Sequence, residues 1–147
     1  MTAPWEQWLQ ISNSPEFTMT ERTLSVWHRH QIELTKLNTA WSTVAVRQYN
    51  GIISGIGGSV RTASGYIRDF RIDVPGTYPY DGPRAYAVGW NPGSMHTYEG
   101  SELCLWRPGQ WSPRHTLAYA VGKAFTWIHK HDVYIFTNLW PGKGQAH

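Results

Sequence analysis

The chain has a single cysteine, Cys104, so it cannot close an internal disulfide. That excludes the small disulfide-stapled scaffolds and fits a reducing compartment. No apolar run approaches the roughly eighteen residues of a membrane span, and no membrane partner is expected. The opening, MTAPWEQWLQISNS, lacks a basic region followed by an apolar stretch, so no secretory leader is expected and the protein reads as cytoplasmic. No run of five or more basic residues occurs, which argues against a nucleic-acid arm despite the formal charge of +3. Arg and Lys interleaved with aromatics can still line a single-strand groove, and this is the weaker reading. Repeats, low-complexity tracts and linker-like composition shifts are all missing, so 1–147 is read as one domain.

What is present is core material. A chain of 147 residues that is 41% hydrophobic, with nine Trp and eight Tyr, is not short of apolar surface. At that length it buries roughly two-thirds of its unfolded surface without needing a metal or a cross-link. From Glu21 to Leu37, apolar residues at Leu24, Trp27, Ile32 and Leu34 among charged neighbours predict a first helix. Trp41–Tyr49 reads as a strand, followed by the hairpin turn chemistry of Asn50-Gly51. Ile52–Val60 is apolar but holds Gly55, Gly57 and Gly58, which predicts a bulged or twisted strand.

After the turn signal Ser64-Gly65, Tyr66–Val74 alternates, with Phe70, Ile72 and Val74 on the face turned inward. Pro75, Pro79 and Pro83 interrupt pairing before a fourth strand over Arg84–Trp90. Asn91–Ser112 has little periodicity and many Gly, Pro and Trp residues, as a long functional loop does. Ser112 as N-cap and Pro113 as first residue predict a helix to about Lys130, with Leu117, Ala120, Val121, Ala124, Phe125 and Ile128 on its apolar face. The fold class is α+β: an N-terminal helix, a four-stranded antiparallel meander, a long active-site loop and a helix in the C-terminal half.

The chemistry lies between Tyr78 and Leu117: Tyr78-Pro79, Gly82-Pro83, His96-Thr97-Tyr98, Gly100-Ser101-Glu102-Leu103-Cys104-Leu105, Trp111-Ser112-Pro113 and Thr116-Leu117. This order resembles the core signature of the ubiquitin-conjugating (UBC-fold) enzymes. In that family a Tyr-Pro turn leaves the sheet, a His-Pro-Asn tripeptide begins eight residues before the catalytic Cys, and Trp-Ser/Thr-Pro opens the next helix. His96 stands eight residues before Cys104. Thr97 and Tyr98 replace the Pro and Asn, so the amide that steadies the oxyanion is missing. Trp106 occupies the place of an acidic residue often found two positions after the Cys. The Cys-Leu-Trp triplet, and a short tail with Trp140-Pro141-Gly142 and His147, are similar to the compact bacterial members. Some of those accompany cGAS-like antiphage signalling (CBASS) systems, where they join the synthase's C-terminus to another molecule.

The resemblance implies a cysteine acyl transferase that carries a protein C-terminus as a thioester on Cys104 and passes it to an amine such as lysine. The implied partners are a ubiquitin-like or Gly-tailed protein, such as a cGAS-like nucleotidyltransferase, and a separate activating enzyme that supplies the ATP chemistry; no cofactor is implied. A thiol of ordinary pKa is a few per cent thiolate at neutral pH, enough for near-thermoneutral thioester exchange. Attack by an amine is harder, because charge builds on the thioester oxygen. Tyr98, a hydrogen-bond donor, or the backbone amides of Gly100–Cys104 are the candidate oxyanion donors. His96 is expected to brace the loop rather than carry a proton, and Cys104 is expected at the surface of a groove near the Pro113 helix. His28, His30, His129 and His131 lack carboxylate or Cys partners at ligand spacing, so no metal site is read from them. The rival readings are a catalytically silent UBC-fold binding module, a Cys–His hydrolase using His96 or His147, and a carbohydrate- or nucleic-acid-binding surface of exposed aromatics.

Overall fold

The computed structural model describes residues 25–142. Residues 21–24 of the expected first helix, and His147, lie outside the described residues. Helix α1 runs Val26–Ala40 behind the cap of Ser25, whose Oγ accepts from the His28 amide at 3.3 Å. Five strands follow: β1 Ala45–Tyr49, β2 Ile52–Arg61, β3 Ile67–Asp73, β4 Arg84–Val88 and β5 Glu102–Leu103. They pair antiparallel in chain order, and helix α2, Leu117–Thr137, closes the described fold. The α+β meander is as expected, but with five strands rather than four. The fifth has only two residues, too few for any alternation to show in the sequence.

Local chemistry explains the sheet. Asn50 and Gly51 adopt φ of 50° and 81°, making the two-residue turn that sets Tyr49 opposite Ile52. Pairing then steps from Gln48–Ile53 to Arg47–Gly55, leaving Ser54 as the extra residue of a bulge. The bulge turns both Ile53 and Ile56 to the core despite their odd spacing. Gly58 leaves room for the Phe70 ring, whose Cζ would lie 2.7 Å from an added Cβ. In β3, Phe70 and Ile72 point inward and Asp69, Arg71 and Asp73 outward, matching the alternation.

The inward sheet residues meet Leu117, Ala120, Val121, Ala124 and Ile128 of α2 in one core. Each large side chain fully enclosed there contributes about 1.5–3 kcal/mol. Trp41 locks the layers, stacking on Phe125 at 4.7 Å while its indole N–H donates to the Ala118 carbonyl at 2.9 Å. Among the described residues no helix is long and apolar enough to cross a membrane.

Both helices depart from their expected bounds. The cap of α2 is Thr116, whose Oγ1 accepts from the Tyr119 amide at 3.0 Å; Ser112-Pro113 instead opens a turn closed by His115 N–H to Ser112 O at 2.9 Å. The helix continues past Lys130 because His131 and Asp132 are buried against loops, and it stops at Asn138, left-handed with φ 60°.

The buried face of α1 is polar at Arg29, His30 and Glu33 and apolar only at Leu37, while Trp27 stands half exposed. Glu33 is fully enclosed; it accepts from the Leu117 amide at 3.0 Å and from the Tyr78 hydroxyl. Arg29 pairs with Glu33 at 3.5 Å and donates to the carbonyls of Pro113 and His115, the latter at 2.7 Å. Burial pushes the Glu33 carboxyl above the usual carboxylate range, and the Tyr78 hydroxyl, Arg29 and the Leu117 amide pull it back. His30 closes the other side, its Nδ1 accepting from the Ile53 amide at 3.0 Å. Burial, with Arg29 beside it, holds His30 below its usual range. Glu33→Ala is expected to cost about 3–5 kcal/mol, because it leaves the Arg29 charge buried without its partner. Urea unfolding followed by tryptophan fluorescence checks this.

Candidate active site

The stretch that reads as a featureless loop contains a small hairpin. The Tyr98 amide donates to the Glu102 carbonyl and the Cys104 amide to the His96 carbonyl, both at 3.0 Å, with a bridge between Thr97 and Leu103. The turn is Glu99-Gly100-Ser101, with Gly100 at φ 69°. The eight-residue spacing of His96 and Cys104 is therefore a pairing register: they face each other across the two arms. Along such an arm side chains alternate, so Leu103 enters the core while Glu102 and Cys104 share the other face.

His96 braces this hairpin through its main chain. Its carbonyl accepts from the Cys104 amide and from the Trp127 indole N–H, each at 3.0 Å, which ties the hairpin to the middle of α2. Its φ of 54° turns it out of strand geometry, and its ring packs on Trp140 at 4.6 Å. Around this point Trp90, Trp127, His131 and Trp140 pack on one another. Among the described residues, Trp27 is the only exposed tryptophan, so they form no flat aromatic face. His131 Nε2 donates to the Pro92 carbonyl at 2.9 Å, a structural role. No group of three or more His, Cys, Asp or Glu among the described residues could hold a metal ion.

Cys104 is not at the surface of a groove. It has no exposed area, because the chain after β5 turns over it. Two polar groups meet the sulfur, the Trp106 carbonyl at 3.6 Å and the Tyr98 hydroxyl. Tyr98 also donates to the Trp106 carbonyl, at 3.0 Å. Burial pushes the Cys104 thiol up; the Tyr98 hydrogen bond lowers it, Glu102 raises it and Lys123 lowers it. Burial likewise pushes Tyr98 up to about 12, with the bond to Cys104 adding to it.

The other motif elements form the wall beside this site. Gly82 lies flat against Trp111, with an added Cβ only 2.7 Å from Cγ, and the Trp111 indole N–H donates to the Pro79 carbonyl at 2.8 Å. Trp106, Trp111, His115 and Tyr119 run on as a row of rings 5.0–5.6 Å apart.

Three residues here were missed from the sequence: Glu102, Lys123 and Trp127. Burial pushes the Glu102 carboxyl up, against Arg84 at 3.9 Å. Lys123 is half-buried on α2, lowered to about 8 by burial and by Lys130. Its signal was a lone cation inside an apolar helical run.

Tyr98→Phe is expected to raise the pH at which Cys104 ionises, because the hydroxyl favours the thiolate. The thiolate absorbance of wild type and variant, each measured against a Cys104→Ser reference, checks this.

Residues 83–147 match the family model of the Type II CBASS E2 protein. No curated protein matches the chain. Among solved structures, the chain is similar to a ubiquitin conjugating enzyme E2 from Plasmodium falciparum, with a TM-score of 0.53 and 18% identity. That alignment covers 69% of this chain and 96% of that one. At this identity the likeness is one of fold: helix, antiparallel meander and second helix are UBC-like.

Proposed function

We propose, for a chain whose residues 83–147 match the family model of the Type II CBASS E2 protein, that Cys104 carries a protein C-terminus as a thioester and hands it to an amine. The observation that supports this most is the placement of the one cysteine. It directly follows strand β5, its amide is held by the His96 carbonyl, and its sulfur meets the Trp106 carbonyl at 3.6 Å. In the first step the Cys104 sulfur attacks an incoming thioester; its new S–C bond forms, the donor's C–S bond breaks, and the donor thiol leaves with the proton. In the second a lysine nitrogen attacks the same carbon. The C–N bond forms, the Cys104 C–S bond breaks, and the amine proton is released to sulfur or solvent. An activating enzyme and a ubiquitin-like or Gly-tailed protein, such as a cGAS-like nucleotidyltransferase, are the partners this chemistry requires.

Tyr98 is the proposed oxyanion donor. Its hydroxyl already sits beside the sulfur, and moving from the Trp106 carbonyl to the thioester oxygen restores what the absent amide supplies. One such donor is worth about 3 kcal/mol. His96 is a positioning residue in this scheme, acting through its carbonyl.

The enclosure of Cys104 favours one competing reading, a silent module that docks the same partners. Loading requires the residues over the sulfur to move aside; docking does not. With activating enzyme, ATP and the transferred protein, the carrier reading expects an adduct that thiols dissolve, lost in Cys104→Ala and converted to a thiol-resistant ester in Cys104→Ser. Tyr98→Phe should slow discharge to lysine by roughly 10²-fold, far more than it slows loading. Tight binding of those partners with no adduct at any stage would establish the silent module.

A further inference from the structure

The segment over the sulfur is built on a tight turn. Pro108 and Gly109 hold its two central positions, Gly109 at φ 82°, and the Gln110 amide donates to the Arg107 carbonyl at 3.0 Å. The turn also brings the Gln110 side chain back to Arg107, whose amide donates to Gln110 Oε1 at 2.5 Å. A backbone N–H is met only by an acceptor, so the oxygen of the side-chain amide is the atom that faces it.

That N–H belongs to the same planar peptide group as the Trp106 carbonyl, and in a trans peptide the two point to opposite edges. At the other edge the carbonyl lies 3.6 Å from the Cys104 sulfur and 3.0 Å from the Tyr98 hydroxyl. One peptide is thus bonded to an exposed side chain at the crest and to Cys104 and Tyr98 beneath it.

We propose that this peptide is a latch on Cys104 and that Gln110 is the positioning residue that holds it closed. The proposal deepens the carrier reading of Cys104 and rests on it for its functional sense. In the closed position the carbonyl accepts from the thiol and from Tyr98. It favours the protonated sulfur, because a carbonyl oxygen opposes the charge of a thiolate, and it occupies the one proton that Tyr98 can donate. Turning the peptide withdraws the carbonyl from both groups at once and requires the Arg107 N–H to leave Gln110. The Tyr98 proton is then free for the sulfur or for a thioester oxygen. Leu105 is seated in the core and the Trp106 ring packs on Trp111 at 5.0 Å, so the peptide turns between anchored side chains. At the crest, a Cβ added to Gly109 would meet nothing within 4 Å among the described residues, so no packing resists the motion. The transferred protein, seated at this rim, opens the latch by competing for the Gln110 side chain.

Because Cys104 is the only cysteine, alkylation of the free protein by iodoacetamide, followed by intact mass, reads this one sulfur. Gln110→Leu removes the acceptor; Gln110→Glu keeps an acceptor oxygen at the same reach. The comparison is made in about 0.5 M salt, which screens the added surface charge. Gln110→Leu is expected to react roughly fivefold faster than wild type, the worth of one ordinary hydrogen bond, and Gln110→Glu at the wild-type rate. The pH midpoint of the reaction should also fall in Gln110→Leu. A turn that merely frays would leave that midpoint in place, since only withdrawal of the carbonyl changes the cost of the thiolate. Gln110 is exposed, so both variants are expected to keep the wild-type urea midpoint. A Gln110→Leu rate within about 1.5-fold of wild type, a Gln110→Glu rate equal to that of Gln110→Leu, an unmoved pH midpoint, or a rate gain matched by lost urea stability overturns the proposal. The expected rates without any adduct in the loading assay would retain the latch and remove the carrier reading. An adduct with unaltered alkylation would do the reverse, so the two failures are distinguishable.

Discussion

The buried carboxylate of Glu33 is the point on which the described architecture depends. It joins α1 to the amide of Leu117 and to the hydroxyl of Tyr78, while Arg29 beside it holds the carbonyls of Pro113 and His115. Three segments far apart in sequence thus converge on one charge. The polar groups at the head of α2 find partners in α1 rather than in water, which is why a helix face built from Arg, His and Glu can be interior. A buried ion pair of this kind adds little net stability over a hydrophobic substitute but is costly to break. It selects one arrangement of α1, the Tyr78 turn and α2 over its near alternatives.

From that anchor the site follows by short links. α2 is set by Leu117, Trp127 lies on it, the Trp127 indole holds the His96 carbonyl, and that carbonyl holds the Cys104 amide. The sulfur is therefore placed by backbone groups, and its environment is tuned by side chains from three directions: Tyr98, Glu102 and Lys123. Of the departures from the ubiquitin-conjugating signature, Tyr98 is among these tuning residues, Thr97 lies in the hairpin arm and Trp106 meets the sulfur through its carbonyl.

Legibility in the sequence tracked how local each cause is. The Asn50-Gly51 turn, the bulge in the Gly-rich strand and the alternation over Phe70 and Ile72 depend on neighbouring residues, and all were readable. The inward face of α1 was not, because apolar spacing does not mark a polar clamp whose partners lie up to 86 residues away. Ser112-Pro113 carried a genuine cap signal, but Arg29 takes the Pro113 carbonyl and Thr116 caps the helix instead. The burial of Cys104 was also hidden. A Gly- and Trp-rich segment looks open until Trp111 is seen flat on Gly82 and the Trp106 carbonyl over the sulfur. Cys104, Tyr98 and His96 were singled out by motif register; Lys123 and Glu102 enter only when the hairpin and the helix are brought together.

The cover over the sulfur is anchored at both ends, at Leu105 and Thr116, which are buried, while Arg107–Gln110 between them are exposed. Neither end transmits what happens at the crest: one is seated in the core, the other in the grip of Arg29 and Glu33. Sequence drift at Arg107–Gln110 is thereby uncoupled from folding. The rim of this site can therefore change without disturbing the buried frame beneath it.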